Sequence, residues 1–108
     1  MNMLIVTFNL SGITDAQYRA ACEGEAAAFA NIPGCVGKVW IADESTNTYG
    51  GVYTFVDKAA VEAYRRSELF RGMQADTTLV NLSSKDCEVL DGPTQITTRR
   101  SAPASVMA

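Results

Sequence analysis

Residues 33–40 read Pro-Gly-Cys-Val-Gly-Lys-Val-Trp, and residues 50–57 read Gly-Gly-Val-Tyr-Thr-Phe-Val-Asp. The β-branched and aromatic content of these stretches predicts two strands, Cys35 to Asp43 and Thr48 to Val56. The polar residues Glu44 to Asn47 join them as a hairpin. Upstream, Pro33-Gly34 stops a helix, and that helix starts near Asp15, where Thr14 and Gln17 have the spacing of a capping box. It extends to about Asn31, with Tyr18, Cys22, Ala26 and Phe29 on one arc; Gly24 and Glu25 interrupt that arc. Downstream, Asp57 caps a second helix, Lys58 to about Arg66, with Val61 and Tyr64 inward, and Ser67 caps a short turn through Phe70. At the chain's start, Met3 to Leu10 alternates as a strand, Leu4, Val6, Phe8 and Leu10 on a core face and Met3, Ile5, Thr7 and Asn9 on a mixed one. Thr77 to Leu90 reads as the last strand, bent at Ser83-Ser84 and ended by Asp91-Gly92-Pro93.

The order β-α-β-β-α-β makes a split βαβ pair, an antiparallel sheet with both helices on one face: an α+β, ferredoxin-like fold. One domain is expected over residues 1–91, and residues 92–108 form a tail that is mobile or packs on a partner. The second sheet face is left bare. Side-chain alternation is taken to put Met3, Ile5, Trp40, Tyr53 and Phe55 there, an apolar patch that a second copy would cover, giving a homodimer. The space between two such sheets, lined partly by Thr7, Asn9 and Lys38, is the expected ligand site.

Composition narrows the chemistry. The 108 residues, 47% of them apolar, suit one domain. A formal charge of −3 provides no field to hold a phosphate backbone, so nucleic acid is not an expected partner. No basic residue precedes the apolar start and no stretch approaches a membrane span, so neither a signal peptide nor a membrane is expected. Three cysteines at irregular spacing fit reduced thiols and a cytoplasmic location. The chain has no histidine, which removes Ser-His and Cys-His pairs, the common zinc and iron sites and the usual proximal haem ligand. Metal, flavin and haem are therefore not expected.

The pairing of Lys38-Val39-Trp40 with Gly50-Gly51-Val52-Tyr53 at this separation resembles the small YdhR-type mono-oxygenases of the antibiotic-biosynthesis mono-oxygenase superfamily. The resemblance runs from about Met3 to Leu90. It implies a dimeric α/β barrel and an oxygenase that needs no cofactor, acting with O2 on a small aromatic or quinone-like substrate. The haem-degrading branch of that superfamily uses a histidine that this chain lacks.

The candidate catalytic residues are Lys38, Trp40 and Tyr53. A lysine in an apolar cavity has a lowered pKa and can bind or deprotonate a phenol. Trp40 offers a flat wall and an indole N–H, and Tyr53 a donor to a phenolate or carbonyl. Ile5, Thr7, Asn9, Tyr49 and Phe55 are candidate substrate contacts. Gly50-Gly51 is read as permitting a bulge or as room for Trp40 to lie across the neighbouring strand, and Glu25 as half of an ion pair at the core's edge. An isomerase or cyclase of a small carbonyl compound, or a binding protein without catalysis, would use the same equipment.

Overall fold

Strand β1, Asn2–Leu10, is followed by helix α1, Asp15–Phe29, and by the hairpin of β2, Cys35–Asp43, and β3, Thr48–Phe55. Helices α2, Lys58–Arg65, and α3, Glu68–Ala75, lead to β4, Leu79–Glu88, and α4, Asp91–Thr97, closes the described chain. The structure is a computed structural model and describes residues 1–98. The sheet is antiparallel throughout, in the order β2-β3-β1-β4. This is the ferredoxin-like arrangement, with the first strand at the centre. Among the described residues no helix is long and apolar enough to cross a membrane.

Local chemistry sets most boundaries. The Thr14 hydroxyl accepts from the Gln17 backbone N–H while the Gln17 side chain accepts from the Thr14 N–H, a complete capping box. Asp57 and Ser67 cap α2 and α3 with one bond each, their side chains accepting from the Ala60 and Phe70 backbone N–H groups. The predicted turn through Phe70 extends to Ala75 as a helix. The irregularity in β4 falls at Asn81, in the left-handed region at φ 57°, and the β1–β4 register shifts beside it, between Thr7 and Asn9, not at Ser83-Ser84. Asp91-Gly92-Pro93 does end the strand, but as the first turn of α4, where a proline lacking its N–H removes no helical bond. The rest of the expected tail, 99–108, lies outside the described residues.

The core lies between the sheet and the helices, built from Leu4, Val6, Phe8, Tyr49, Tyr53, Phe55, Val61, Tyr64 and Phe70. Directly paired residues of antiparallel strands point to the same side, and Leu4 pairs with Tyr53, which in turn pairs with Lys38. Lys38, Trp40, Tyr53 and Phe55 therefore face the helices. This corrects the expected placement of Trp40, Tyr53 and Phe55 on the bare face. The outer face instead carries Met3, Ile5, Val39, Ile41 and Val52. Both faces of the hairpin are apolar, so alternation separates two sets of side chains without saying which set meets the helices.

Candidate active site

Helix α1 stands off the sheet. Its inward surface between Tyr18 and Phe29 consists of Ala21, Cys22 and Glu25, which are too short or too polar to fill the gap. Tyr18 bridges one end, packing edge-on against Phe8 and Tyr49 with ring centroids 5.9 and 5.0 Å away. Phe29 bridges the other, edge-on to Trp40 at 5.1 Å. Between them lies a cavity of about 320 Å³, floored by Lys38, Trp40, Gly50 and Gly51 and closed on the α3 side by Met73 and Asp76. It lies on the helix side of the sheet, not on the outer face where a site between two sheets was expected.

Lys38 is the charged group of the cavity floor. Its ammonium lies 3.4 Å from the Trp40 ring centroid, 3.6 Å from that of Phe29 and 4.8 Å from that of Tyr53, a three-sided aromatic cage. Gly51 makes this possible, because a Cβ there would come within 2.6 Å of Lys38 Cε. The glycine thus admits the lysine stem beside Trp40, the pairing partner of Gly51 on β2. Burial lowers the Lys38 pKa to about 8, against the opposing pull of Cys22, Glu25 and Cys35. None of the ion pairs among the described residues involves Lys38.

The tyrosines have other tasks. The Tyr53 and Tyr64 hydroxyls share a buried hydrogen bond of 2.8 Å, and Tyr64 also donates to Met73 Sδ at 3.7 Å, which leaves Tyr53 as the donor to Tyr64. Burial raises the Tyr53 pKa far above its ordinary value, helped by Tyr64, and raises that of Tyr64 to about 12. Tyr53 presents its ring to Lys38 but has no free hydroxyl for a substrate. Tyr49 donates to Asp15 Oδ1 at 2.5 Å, which pushes its pKa up to about 12. Phe55 stacks on Tyr53 inside the core.

Of the expected site residues, the structure brings together Lys38, Trp40 and the Tyr53 ring. Ile5, Thr7 and Asn9 lie on the opposite face of the sheet, and Tyr49 and Phe55 are core residues. Asn9 is a brace: its Nδ2 donates to the Asn47 carbonyl at 2.7 Å and its Oδ1 accepts from Asn81 at 2.9 Å, tying the hairpin turn to the irregular part of β4. The sequence reading missed the contribution of α1 and α3, namely Tyr18, Cys22, Glu25, Phe29, Met73 and Asp76. Glu25 was the available signal, an acid on the inward arc of a helix. It takes part in neither ion pair of the described residues, which join Arg19 to Asp15 and Lys58 to Asp86. Glu25 instead lines the cavity.

Three solved structures illustrate the fold's relatives. A protein of unknown function from Nitrosomonas europaea is 16% identical with a TM-score of 0.69, and the match covers 95% of this chain and 94% of that one. The cofactor-independent oxygenase SnoaB from Streptomyces nogalater, solved as a mutant, is 19% identical with a TM-score of 0.64 over 82% of this chain and 92% of that one. A putative antibiotic biosynthesis monooxygenase from Deinococcus radiodurans is 15% identical with a TM-score of 0.65, again over 82% of this chain and 92% of that one. At these identities the likeness shows a shared fold. No curated protein matches the chain significantly. A family match extends over residues 3–100, nearly the full length, and on that match the chain belongs to the family described as "Putative mono-oxygenase ydhR".

Proposed function

We propose that this protein is a cofactor-independent mono-oxygenase that binds a small phenolic aromatic in the cavity between the sheet and helices α1 and α3. The observation that carries the reading is Lys38, an amine caged by three aromatic rings on the floor of a cavity of about 320 Å³. With a pKa lowered to about 8, a fraction of this amine is neutral near neutral pH. The neutral amine takes the phenolic proton, and the resulting ammonium stays beside the phenolate it has made. The phenolate passes one electron to O2, giving an aryloxyl radical and superoxide. These combine at a ring carbon as a peroxide anion, the Lys38 ammonium returns its proton to give the hydroperoxide, and loss of water, taking the hydrogen of that ring carbon, leaves the quinone. Trp40, Phe29 and Tyr18 wall the substrate and exclude water. The absence of histidine keeps haem chemistry out of this reading. The apolar outer face of the sheet is proposed as the surface on which a second copy docks.

The test is oxygen uptake with a panel of naphthols and anthrones. Lys38→Met is expected to lower kcat on the order of 100-fold or more, the effect of removing one well-aimed group from a charge-stabilising site. Tyr53→Phe is expected to stay within a few-fold of the wild type, because its hydroxyl is engaged with Tyr64. Ligands that bind without oxygen uptake would point to an isomerase, a cyclase or a binding protein instead.

A further inference from the structure

The charges around the cavity are unevenly distributed. Among the described residues Lys38 is its one basic lining residue, set into the floor, while two acidic residues, Glu25 on α1 and Asp76 at the end of α3, also line it. Arg19 lines the adjoining cleft, which shares Tyr18, Cys22 and Trp40 with the cavity, and it is tied to Asp15 at 2.8 Å. Asp76 has one oxygen occupied, since its Oδ1 accepts from the Thr78 backbone N–H at 2.9 Å and from the Thr78 hydroxyl at 2.6 Å. Glu25 is exposed and forms neither ion pair of the described residues. A molecule lying along the cavity thus meets a donor at the floor and unneutralised acceptors on the helix side.

We infer that the cavity selects a phenol carrying a second hydrogen-bond donor, such as a further hydroxyl or an amine, and rejects aromatics bearing a carboxylate, and that Glu25 is the residue that makes this selection. The inference rests on the phenol reading of the site. The physical argument is one of sign. A substrate carboxylate would be drawn by a single ammonium that the phenolate already occupies, and would be left facing Glu25 and Asp76 in a half-enclosed space where like charges repel more strongly than in bulk water. A neutral second hydroxyl suffers no such repulsion and gives Glu25 a hydrogen bond to a charged acceptor, one of the stronger kinds. Because Glu25 is exposed, its share of the discrimination should be screened by salt.

Trp40, the only tryptophan of the chain, lines the cavity and reports occupancy without any turnover. Quenching of its emission is to be titrated with 1,5-dihydroxynaphthalene and with 1-hydroxy-2-naphthoate, with 2-naphthol as reference. The wild type is expected to bind the dihydroxy compound at least about tenfold more tightly than the naphthoate. Glu25→Gln should shrink that ratio several-fold, mainly by strengthening naphthoate binding. Glu25→Asp should keep it, and raising the salt from about 0.02 M to about 0.5 M should shrink it in the wild type. Equal or tighter binding of the naphthoate by the wild type overturns the inference, as does a ratio unmoved by both Glu25→Gln and salt. Those results leave the oxygenase reading standing. Charge-selective binding without oxygen uptake would sink the oxygenase reading alone, and failure of all three compounds to quench Trp40 would sink both.

Discussion

Lys38 sits where two effects oppose each other. The ring faces of Trp40, Phe29 and Tyr53 attract an ammonium, while removal from water penalises it, and the balance is a pKa of about 8 against an ordinary 10.5. The direction fixes a signature in stability. Below about pH 8 both the folded and the unfolded chain hold the proton, and the burial penalty acts in full. Between about pH 8 and 10.5 the unfolded chain still binds a proton that the folded chain has released, so stability rises with pH. The buried tyrosines act in the opposite direction only above their unfolded value of about 10, because folding holds Tyr53 and Tyr64 protonated. Urea unfolding from about pH 7 to about pH 9.5 is thus expected to show the wild type gaining stability relative to Lys38→Met. A pH-independent difference would mean that the amine is hydrated and not caged. Lys38 could be chosen from the sequence because a lysine is unusual in an apolar strand, and Trp40 because it shares that strand face two residues on. The engagement of Tyr53 with Tyr64 could not, since those residues are brought together only by packing α2 on the sheet.

The adjacent glycines of β3 do different jobs within one strand. A Cβ on Gly50 would run into the Val6 carbonyl oxygen of the central strand, where backbone cannot yield. A Cβ on Gly51 would clash with the flexible Lys38 stem and otherwise meet Tyr53 Cε1 at an ordinary 3.5 Å. Gly50→Ala is therefore expected to lose roughly 4 kcal/mol or more, or to prevent folding. Gly51→Ala should fold with a modest loss but displace Lys38, reproducing the low turnover of Lys38→Met and abolishing the stability rise with pH. Unfolding curves and oxygen uptake on both variants check this, and equal behaviour of the two would refute the division of roles. The elements themselves were legible because their signals are local: Thr14 with Gln17, Asp57, Ser67 and the polar turn after Asp43 each mark a boundary without tertiary help. The cavity was not, because it arises from the spacing between α1 and the sheet, which depends on how far Tyr18 and Phe29 reach.

At the scale of the molecule, the sheet has two apolar faces: α1, α2 and α3 cover one, and α4 only borders the other, where Pro93, Thr94 and Thr97 line a cleft with Met3 and Ile5. Val39, 64% exposed, and Ile41, Met3 and Ile5 form an outer patch of a kind that soluble proteins seldom leave in water. If the proposed dimer forms on this face, Val39→Asp is expected to leave the protomer folded, by circular dichroism, and to shift sedimentation from dimer to monomer, since it would place an unpaired charge in the proposed interface. Phe55→Asp, at a fully buried position, should unfold the protomer itself. A wild type that sediments as a monomer at micromolar concentration would remove the dimer from the proposal. The stand-off of α1 has a consequence of its own. The helix rests on the sheet as a span rests on two piers, with Tyr18 and Phe29 bearing the load and Ala21, Cys22 and Glu25 hanging over open space. Changes at the piers alter the height of the vault and the strength of the building together. Changes at mid-span alter only the room beneath, so this architecture can be refitted for a different guest without being rebuilt.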